Sequence, residues 1–245
     1  FVYFHQSLVF ENAAWSWTDA QQRTLWFYAH VYPWAVRCFL HADTRVFVQL
    51  EGIKNSFAQK FGHDPDKIIT VFPTVGPPMS PSDDDTPLDA SVLRLFYPAL
   101  PFAYKNHQVL CEALPQLGRP CRLYLTTPPV PGEGRPELVR LGQLDKAQMA
   151  RLYHQCDALV FPSKVETFGL PLLEAALCGL PVIAADKPYA RDVLAGYEGA
   201  RFVDADDPAA WAAAIGALRC GVRYRPIDVS GRRSWDYLFE QLWKK

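Results

Sequence analysis

The sequence predicts an α/β protein whose parallel sheets form two lobes. Runs that suit strands alternate with runs that suit helices, which favours parallel sheets covered by helices. Asp157–Phe161 and Leu180–Ala184 are largely apolar, as expected of strands buried on both faces. Between them, Pro171 suits the first turn of a helix, and Gly179 suits the residue just past its end. This strand, helix, strand unit anchors the interpretation of the rest of the chain.

The first part of the chain predicts a shorter series of elements. A strand at 1–4 is followed by His5–Gln6, a polar pair at the end of a strand, where ligands bind in open parallel sheets. Thr18 and Asp19 can cap a long amphipathic run that Pro33 kinks or divides. The remaining predicted elements here are the strand 45–48, the helix 51–61 and the strand 67–72.

Trp15 and Trp17 lie in an aromatic-rich stretch before that amphipathic run. Packing in the core is the role we expect for both rings. Stacking on a sugar and contact with a membrane surface remain alternatives.

Residues 76–91 are rich in Pro, Ser and Asp and show no periodicity, so they predict a linker between the lobes. They contain Asp83-Asp84-Asp85. An Asp-x-Asp pair that binds a metal ends a strand, whereas this one sits among turn formers. We therefore interpret it as a solvated acidic loop and predict no metal site.

The second lobe is predicted to begin with a strand at 92–97. Lys105 lies in the following loop, and Asn106 is a plausible N-cap for a helix from 107 to 117. Asp145 and Gln148 form a capping box for a helix that runs to 155. The other predicted elements are the strands 121–126, 138–141 and 200–203, and the helices 189–194, 208–218 (capped by Asp207) and 234–245.

Composition narrows the function classes. The chain has 245 residues and a formal net charge of -1, which gives no electrostatic reason to expect nucleic acid. Its six cysteines show no Cys-x-x-Cys pairing and lie mostly in apolar runs, so we expect buried free thiols in a reducing compartment. No apolar run approaches the roughly 20 residues of a membrane span, and a cytoplasmic protein is expected. Because the sequence opens at Phe1 inside an apolar run, we also expect that the start of the first lobe is missing.

Two glutamates interrupt the otherwise apolar segment after the strand 157–161. Glu166 lies in the loop and Glu174 lies one turn into the helix, with seven residues between them. The amides of Phe168, Gly169 and Leu170 lie at the helix start, where an anion is favoured. Such a site suits a phosphorylated sugar, because the amides can bind the phosphate and the carboxylates can accept hydrogen bonds from the hydroxyl groups. The alternative for Glu174 is a solvated carboxylate stabilised by the helix dipole, but its apolar neighbours indicate a buried helix, so the carboxylate needs a partner.

These residues carry a resemblance. Glu166-Thr-Phe-Gly-Leu-Pro-Leu-Leu-Glu174, followed by Gly179-Leu-Pro-Val-Ile183, resembles the donor-site signature of family-4 retaining glycosyltransferases. These enzymes have the GT-B fold of two Rossmann-like lobes. The similarity extends from about Arg45 to the C-terminus, and only the part from Glu166 to Ile183 is specific by itself.

The resemblance implies a role for each candidate residue. Glu174 would hold the ribose hydroxyls of the nucleotide, and Glu166 a hydroxyl of the donor sugar. Lys105 would contact the diphosphate, although the arginine that usually precedes it is replaced by Ala99, Leu100 and Pro101. His5 resembles the histidine that approaches the donor sugar, the alternative being a histidine satisfied by local backbone groups. The amides of Phe168, Gly169 and Leu170 would bind the sugar and diphosphate, and Asn106 would belong to the same donor-binding set.

The resemblance also implies a domain plan and a reaction. Residues 1–75 would be the remainder of the acceptor-side lobe, 92–220 the nucleotide-sugar-binding lobe, and 221–245 a helical segment that crosses back to the first lobe. The reaction would transfer a hexose, with mannose as a guess, from a nucleotide sugar to a saccharide or lipid-linked saccharide with retention. It would use no metal and no cofactor, in bacterial surface-polysaccharide synthesis such as that of lipopolysaccharide. Contact with the cytoplasmic face of the inner membrane is left open.

Two other functions stay open at this point. The chain could be a non-catalytic or regulatory donor-binding lobe that acts with another chain or segment. It could also be a sugar-nucleotide epimerase or a phosphorylase on the same fold, which product analysis would distinguish. A dinucleotide redox enzyme is disfavoured, because no Gly-x-Gly-x-x-Gly follows any predicted strand.

Overall fold

The computed structural model describes residues 1–10, 15–19, 22–76, 88–89 and 91–243. The chain divides into two compact units. The first contains Phe1–Thr74, Val165–Phe168 and Ser230–Lys245, and the second contains Val75–Lys164 and Gly169–Val229. Most of the predicted linker 76–91, with Asp83–Asp85, lies outside the described residues.

Two short helices stand where the sequence predicts one divided run. They are α1 (Arg23–His30) and α2 (Tyr32–Phe39), and Pro33 lies in the first turn of α2. Because proline has no N–H to donate to the preceding turn, the predicted division at Pro33 is confirmed. The expected core position of Trp17 is wrong, since its side chain is 56% exposed. Its ring lies against that of Trp26, with the centroids 4.9 Å apart.

The first unit is built on a short parallel sheet of β1 (Val2–Tyr3), β2 (Val46–Val48) and β3 (Ile68–Thr70), in that order. The helix α3 (Glu51–Phe61) connects β2 to β3, so the predicted strand, helix, strand unit is confirmed. Phe4 follows β1 and is buried edge-on against Phe57 of α3, with the centroids 5.0 Å apart. This aromatic contact joins the sheet to its helix.

The second unit alternates strands and helices, as the sequence predicts. Its strands are β4 (Leu93–Tyr97), β5 (Cys121–Leu125), β6 (Leu138–Arg140), β7 (Ala158–Phe161), β8 (Val182–Ala185) and β9 (Ala200–Val203). Its helices are α4 (His107–Ala113), α5 (Lys146–Gln155), α6 (Leu170–Leu177), α7 (Pro188–Val193) and α8 (Pro208–Gly216). All pairings are parallel and the order is β6-β5-β4-β7-β8-β9. Starting from the central β4, the chain adds β5 and β6 on one side of the sheet, and it then adds β7, β8 and β9 on the other side.

The two strands that flank the central motif lie in the middle of the core. Every residue of β7 and of β8 is buried, which confirms the prediction from their continuous apolar character. Gly179, just past α6, has φ +66°, and a Cβ there would lie 2.3 Å from the carbonyl oxygen of Tyr224. Glycine is required at this position both for the backbone conformation and for the close approach of the chain after α8.

The starts of α5 and α8 follow their local signals. Asp145 and Gln148 form the predicted capping box of α5, and the Asp207 side chain accepts from the first amides of α8. By contrast, α4 ends at Ala113 and a 3₁₀ turn follows, so the predicted end at 117 is wrong. Pro115 cannot donate to the carbonyl of Cys111, and that carbonyl accepts a hydrogen bond of 2.8 Å from Nη2 of Arg135 instead.

The last described helix, α9 (Trp235–Trp243), belongs to the first unit. Leu238 is buried against Phe47 and Val71, and the ring of Trp235 lies 4.9 Å from that of Tyr3. The segment therefore contributes to the core of the unit that the N-terminal residues form. Within the described ranges, no helix has the length and apolar character needed to cross a bilayer.

The six cysteines are free thiols, as expected, but their burial varies. Cys156 is buried at the end of α5, whereas Cys38 on α2 and Cys220 after α8 are exposed. The expectation of buried thiols is wrong for these last two. An apolar run in the sequence does not reveal which of its side chains faces outward.

A fully buried carboxylate joins the two central strands of the second unit. Asp157, at the start of β7, accepts hydrogen bonds from the backbone N–H, Nε and Nη2 of Arg94 on β4, at 2.9 to 3.0 Å. It also accepts from the Gly221 N–H at 2.8 Å. Burial alone would raise the pKa of Asp157, but the hydrogen bonds from Arg94 and Gly221 outweigh it and lower the pKa.

We expect Asp157→Asn to lower the free energy of unfolding at neutral pH by about 3 kcal/mol, because Arg94 loses its buried partner. A lowered native-state pKa means that the charged form contributes stability above pH 3.8, which is lost as the pH falls through the native-state value. In urea unfolding measured from about pH 7 to about pH 3, the free energy of unfolding of the variant should therefore fall less steeply with acid than that of the wild type. The matched control is Asp186→Asn, whose pair with Arg191 is exposed, and it should change little. Equal losses in both variants would contradict this account.

Candidate functional site

The candidate site lies at the carboxyl edge of the sheet in the second unit, where the strand order reverses between β4 and β7. In open parallel sheets, ligands bind in the crevice outside such a reversal, because the neighbouring loops turn away from each other there. Two loops leave this edge, residues 98–106 after β4 and residues 162–169 after β7. These loops carry five of the eight candidate residues, Leu170 and Glu174 lie on the adjoining helix α6, and His5 follows β1 in the first unit.

The two loops are joined directly. The Lys164 N–H donates to the Tyr104 carbonyl at 2.8 Å. The carbonyl of Ser163, a fully buried residue, accepts from the Tyr189 hydroxyl of α7 at 2.6 Å. The two loops at the strand-order reversal are therefore fixed to each other and to α7 by hydrogen bonds.

Asn106 shapes the first loop. It is the one non-glycine residue with positive φ (+55°) that the described backbone contains. Its Nδ2 donates to the Ala205 carbonyl at 2.6 Å and to the Pro162 carbonyl at 3.4 Å. The predicted side-chain cap of α4 is wrong, because the left-handed backbone is accompanied by these cross-loop bonds and no side-chain cap bond forms. Asn106 instead fastens the loop after β4 to the loops after β7 and β9.

Lys105 ends a 3₁₀ turn directly before Asn106. Its carbonyl accepts from the Tyr97 hydroxyl at 2.6 Å, and its Nζ lies 5.3 Å from the centroid of the Tyr104 ring. The position of the lysine backbone is thus fixed from β4, while the ammonium group lies over an aromatic face.

His107 adds a neutral group that sequence reasoning missed. Burial lowers its pKa to about 4, and the charges of Arg140 and Lys105 act in the same direction. Its ring packs on Tyr97 with the centroids 4.8 Å apart, and Nε2 is buried with no partner among the described groups. At neutral pH the positive charge in the loop after β4 therefore comes from Lys105 and not from His107.

Gly169 sets the start of α6. It has φ +87°, and a Cβ would lie 3.1 Å from Cδ1 of Leu172 and 3.5 Å from the Tyr189 ring. The predicted Pro171 lies in the first turn. The first amides of a helix have no intrahelical acceptor, and the helix dipole favours an anion beside them. Gly169 and Leu170 thus supply amides suited to a phosphate.

Glu174 has the partner that the sequence requires. The hydroxyl of Tyr153, on α5, donates to its Oε2 at 2.7 Å. The carboxylate is partly buried rather than on a solvated face. Burial raises the pKa of Tyr153, and the charge of Glu174 adds to that effect, so the phenol stays protonated as a donor. Nothing local in the sequence pairs these two residues, which are 21 positions apart.

The segment that carries Glu166 packs within the first unit. Phe168 is buried edge-on against Phe72, with the centroids 4.7 Å apart, and the Thr167 hydroxyl lies 3.4 Å from that of Ser7. The guanidinium of Arg232 stacks over Phe72 at 4.2 Å. These contacts were not predicted, because their members are far apart in the chain.

The remaining candidates are placed as follows. His5 follows β1 and is exposed, with its ring stacked 5.9 Å from that of Tyr3. Glu166 is partly buried. The structure thus brings Lys105 and Asn106 together with the loop after β7, and it places Glu166, Phe168 and His5 in the first unit. The described residues hold no cluster of three or more His, Cys, Asp or Glu side chains that could bind a metal.

Comparison with known proteins gives one family and several relatives. Residues 93–219, slightly more than half of the chain, match the model of the glycosyl transferases group 1 family. A D-inositol 3-phosphate glycosyltransferase of Xylanimonas cellulosilytica is 35% identical over 91 residues, which cover 37% of this chain and 22% of that protein. An O-antigen chain mannosyltransferase of Salmonella typhimurium is 44% identical over 64 residues, which cover 26% of this chain and 18% of that protein.

Among solved structures, Anabaena HepE in complex with UDP and glucose superposes with a TM-score of 0.63 at 18% identity. The match covers 88% of this chain and 60% of that one. At this identity the likeness shows the fold alone, and it confirms the predicted GT-B class with parallel sheets. Each of the three matches spans less than two thirds of the relative's own length.

We expect Asn106→Asp to lower the free energy of unfolding by about 2 kcal/mol at neutral pH, because a carboxylate replaces the donor that faces two carbonyl oxygens. The charged form is disfavoured in the fold, so the native-state pKa of the new carboxyl is raised. The loss should appear as the pH rises through about 4 and shrink below it, where the protonated acid can donate. Urea unfolding at about pH 7 and about pH 4 checks this. Asn55→Asp on the exposed face of α3 is the control, and a loss independent of pH would contradict the account.

Proposed function

Because this chain belongs to the glycosyl transferases group 1 family, we propose that it binds a nucleotide sugar and transfers its hexose to a saccharide. The observation that supports this most is the start of α6 at the strand-order reversal, with Glu174 one turn inside the helix. One short helix thus carries both amides that can bind a phosphate and a carboxylate that can accept hydrogen bonds from hydroxyl groups. A nucleotide sugar presents both kinds of group.

We propose that the donor is bound through its ribose, its diphosphate and its sugar. Glu174 accepts from the ribose hydroxyls. Lys105 and the amides of Phe168, Gly169 and Leu170 bind the diphosphate. Asn106 holds the loop that presents Lys105. Glu166 and His5 act on the donor sugar, in line with the family-4 resemblance of the motif.

The chemistry that follows is a transfer with retention of the anomeric configuration. The bond between the anomeric carbon and the diphosphate oxygen breaks, and the electron pair goes to the leaving diphosphate. Lys105 and the helix-start amides stabilise the charge that develops there, which requires no metal. The acceptor hydroxyl oxygen bonds to the anomeric carbon on the face the diphosphate leaves, and its proton goes to the leaving phosphate.

The substrates are proposed from the relatives. One relative is described as an O-antigen chain mannosyltransferase, and HepE was solved with UDP and glucose, so a hexose donor is supported, with mannose as one candidate. A saccharide or lipid-linked saccharide of a bacterial surface polysaccharide is the corresponding acceptor. We place the reaction in the cytoplasm, at the inner face of the membrane where such acceptors are held.

We expect Glu174→Ala to weaken the binding of the preferred nucleotide roughly a hundredfold or more, because two hydrogen bonds from ribose to a charged group are lost. Isothermal titration with UDP, GDP and their hexose conjugates measures this, and circular dichroism checks the fold. Glu112→Ala is the matched control, since Glu112 is an exposed helical glutamate bonded to Gln108. Unchanged nucleotide affinity in Glu174→Ala would remove Glu174 from the site.

We expect Lys105→Ala to lower kcat about a hundredfold, because an interaction that strengthens as the diphosphate leaves is removed. Lys67→Ala, which removes a half-buried lysine of the first unit paired with Asp43, is the control. The same assay run with a chelator should keep its rate, and proton NMR of the product should show the anomeric configuration of the donor. Inversion, or loss of activity on chelation, would overturn the proposed mechanism.

Donor binding without transfer to any saccharide would favour a donor-binding module instead.

A further inference from the structure

The side chain of Tyr153, which lies outside the loops of the site, is held tightly by its packing. Its side chain lies on the inner face of α5 and is 1% exposed. The ring packs edge-on against Phe96 of β4, with the centroids 5.3 Å apart and an angle of 73°. Because the ring cannot rotate out of this packing, the position of its hydroxyl is fixed by the sheet.

That hydroxyl meets a side chain rather than the backbone. Three other buried tyrosines whose bonds the structure describes donate to main-chain carbonyls: Tyr97 to Lys105, Tyr189 to Ser163 and Tyr197 to Leu180. Tyr153 donates to Oε2 of Glu174 at 2.7 Å. A backbone carbonyl stays in place without help, whereas a carboxylate on a flexible side chain takes one orientation only when something holds it.

The bond is a strong one and leaves half of the carboxylate available. It joins a neutral donor to a charged acceptor in a largely buried setting, which strengthens it. In the described part of the chain, the side chain of Glu174 takes this one hydrogen bond, on Oε2. Oε1 can therefore accept from a ligand while Oε2 is held.

We propose that Tyr153 is a positioning residue that holds Glu174 for the vicinal hydroxyls of a ribose, so that preference for ribonucleotides over deoxyribonucleotides depends on its hydroxyl. The inference rests on the proposed function, because it takes Glu174 as the group that binds the sugar of the nucleotide. It assigns the recognition of the diol to a pair of residues on α5 and α6. One of the pair touches the ligand, and the other fixes the geometry.

The test compares the full chain with Tyr153→Phe, which removes the oxygen and keeps the ring. Each is titrated with UDP and GDP, and with the 2′-deoxy and 3′-deoxy forms of the better-bound nucleotide. We expect the wild-type chain to prefer the ribonucleotide about tenfold or more, since a deoxy form loses a hydrogen bond to a charged group. In Tyr153→Phe we expect that preference to fall to about threefold or less, with the affinity for the deoxy forms nearly unchanged.

Tyr197→Phe is the matched control. It also removes a buried phenol oxygen from the second unit, but one that bonds to a main-chain carbonyl. A merely structural role for Tyr153 would lower the affinities for ribo and deoxy forms together and leave their ratio as in the wild type. That outcome, or an unchanged ratio at unchanged affinity, overturns the inference.

Two further outcomes are distinguishable from these. If the wild-type chain binds no nucleotide, the proposed function fails and the inference fails with it. If Tyr153→Phe does not fold, Tyr153→Met removes the oxygen with a flexible apolar side chain, and the same ratio is measured. A ratio close to that of the wild type in the methionine variant also overturns the inference.

Discussion

The parallel contact between β4 and β7 is the constraint on which the second unit depends. The strand order reverses at this contact, and Asp157 holds it through four hydrogen bonds from Arg94 and Gly221. A buried carboxylate is tolerated only because its charge is fully met, and that requirement fixes the start of β7 against β4. The same interaction ties down the chain after α8. The loop after β4 and the start of the loop after β7 thus leave the sheet from strands that are fixed against each other.

The loops at the reversal point are held mostly by backbone acceptors and buried side chains. Tyr97, Asn106 and Tyr189 each donate to a carbonyl of this edge or of the loops beside it. Such bonds use polar atoms that would be costly to bury unpaired, and they leave the helix-start amides of α6 for a ligand. The electrostatic arrangement is asymmetric: Lys105 and the α6 dipole favour an anion, His107 is neutral, and Glu174 offers a carboxylate. This combination suits a ligand with both phosphates and hydroxyls.

The four residues Val165–Phe168 show how a short motif can depend on distant parts of the chain. Ser7, after β1, and Phe72, after β3, contact this segment, and the guanidinium of Arg232 from the C-terminal segment stacks on Phe72. Glu166 is therefore carried by a segment whose conformation is decided by residues far away in sequence. The flanking residues Lys164 and Gly169 are fixed by the second unit instead. The motif is continuous in sequence, but its residues 165–168 belong to the first unit and its residues from 169 onward belong to the second.

The sequence by itself determined the alternation of elements, the parallel class of the sheets, the boundaries marked by Pro33, Gly179 and Asp207, and the need of Glu174 for a partner. These follow from signals within a few residues: apolar runs, caps, and the backbone limits of proline and glycine. Only the tertiary structure decided that the partner is Tyr153, that Asn106 joins loops instead of capping α4, and that α4 ends early. It likewise decided which side chains stay outside, as Trp17 and Cys220 do. Each of these depends on groups brought together from distant positions, and local propensity carries no information about which distant group will fill a neighbouring space.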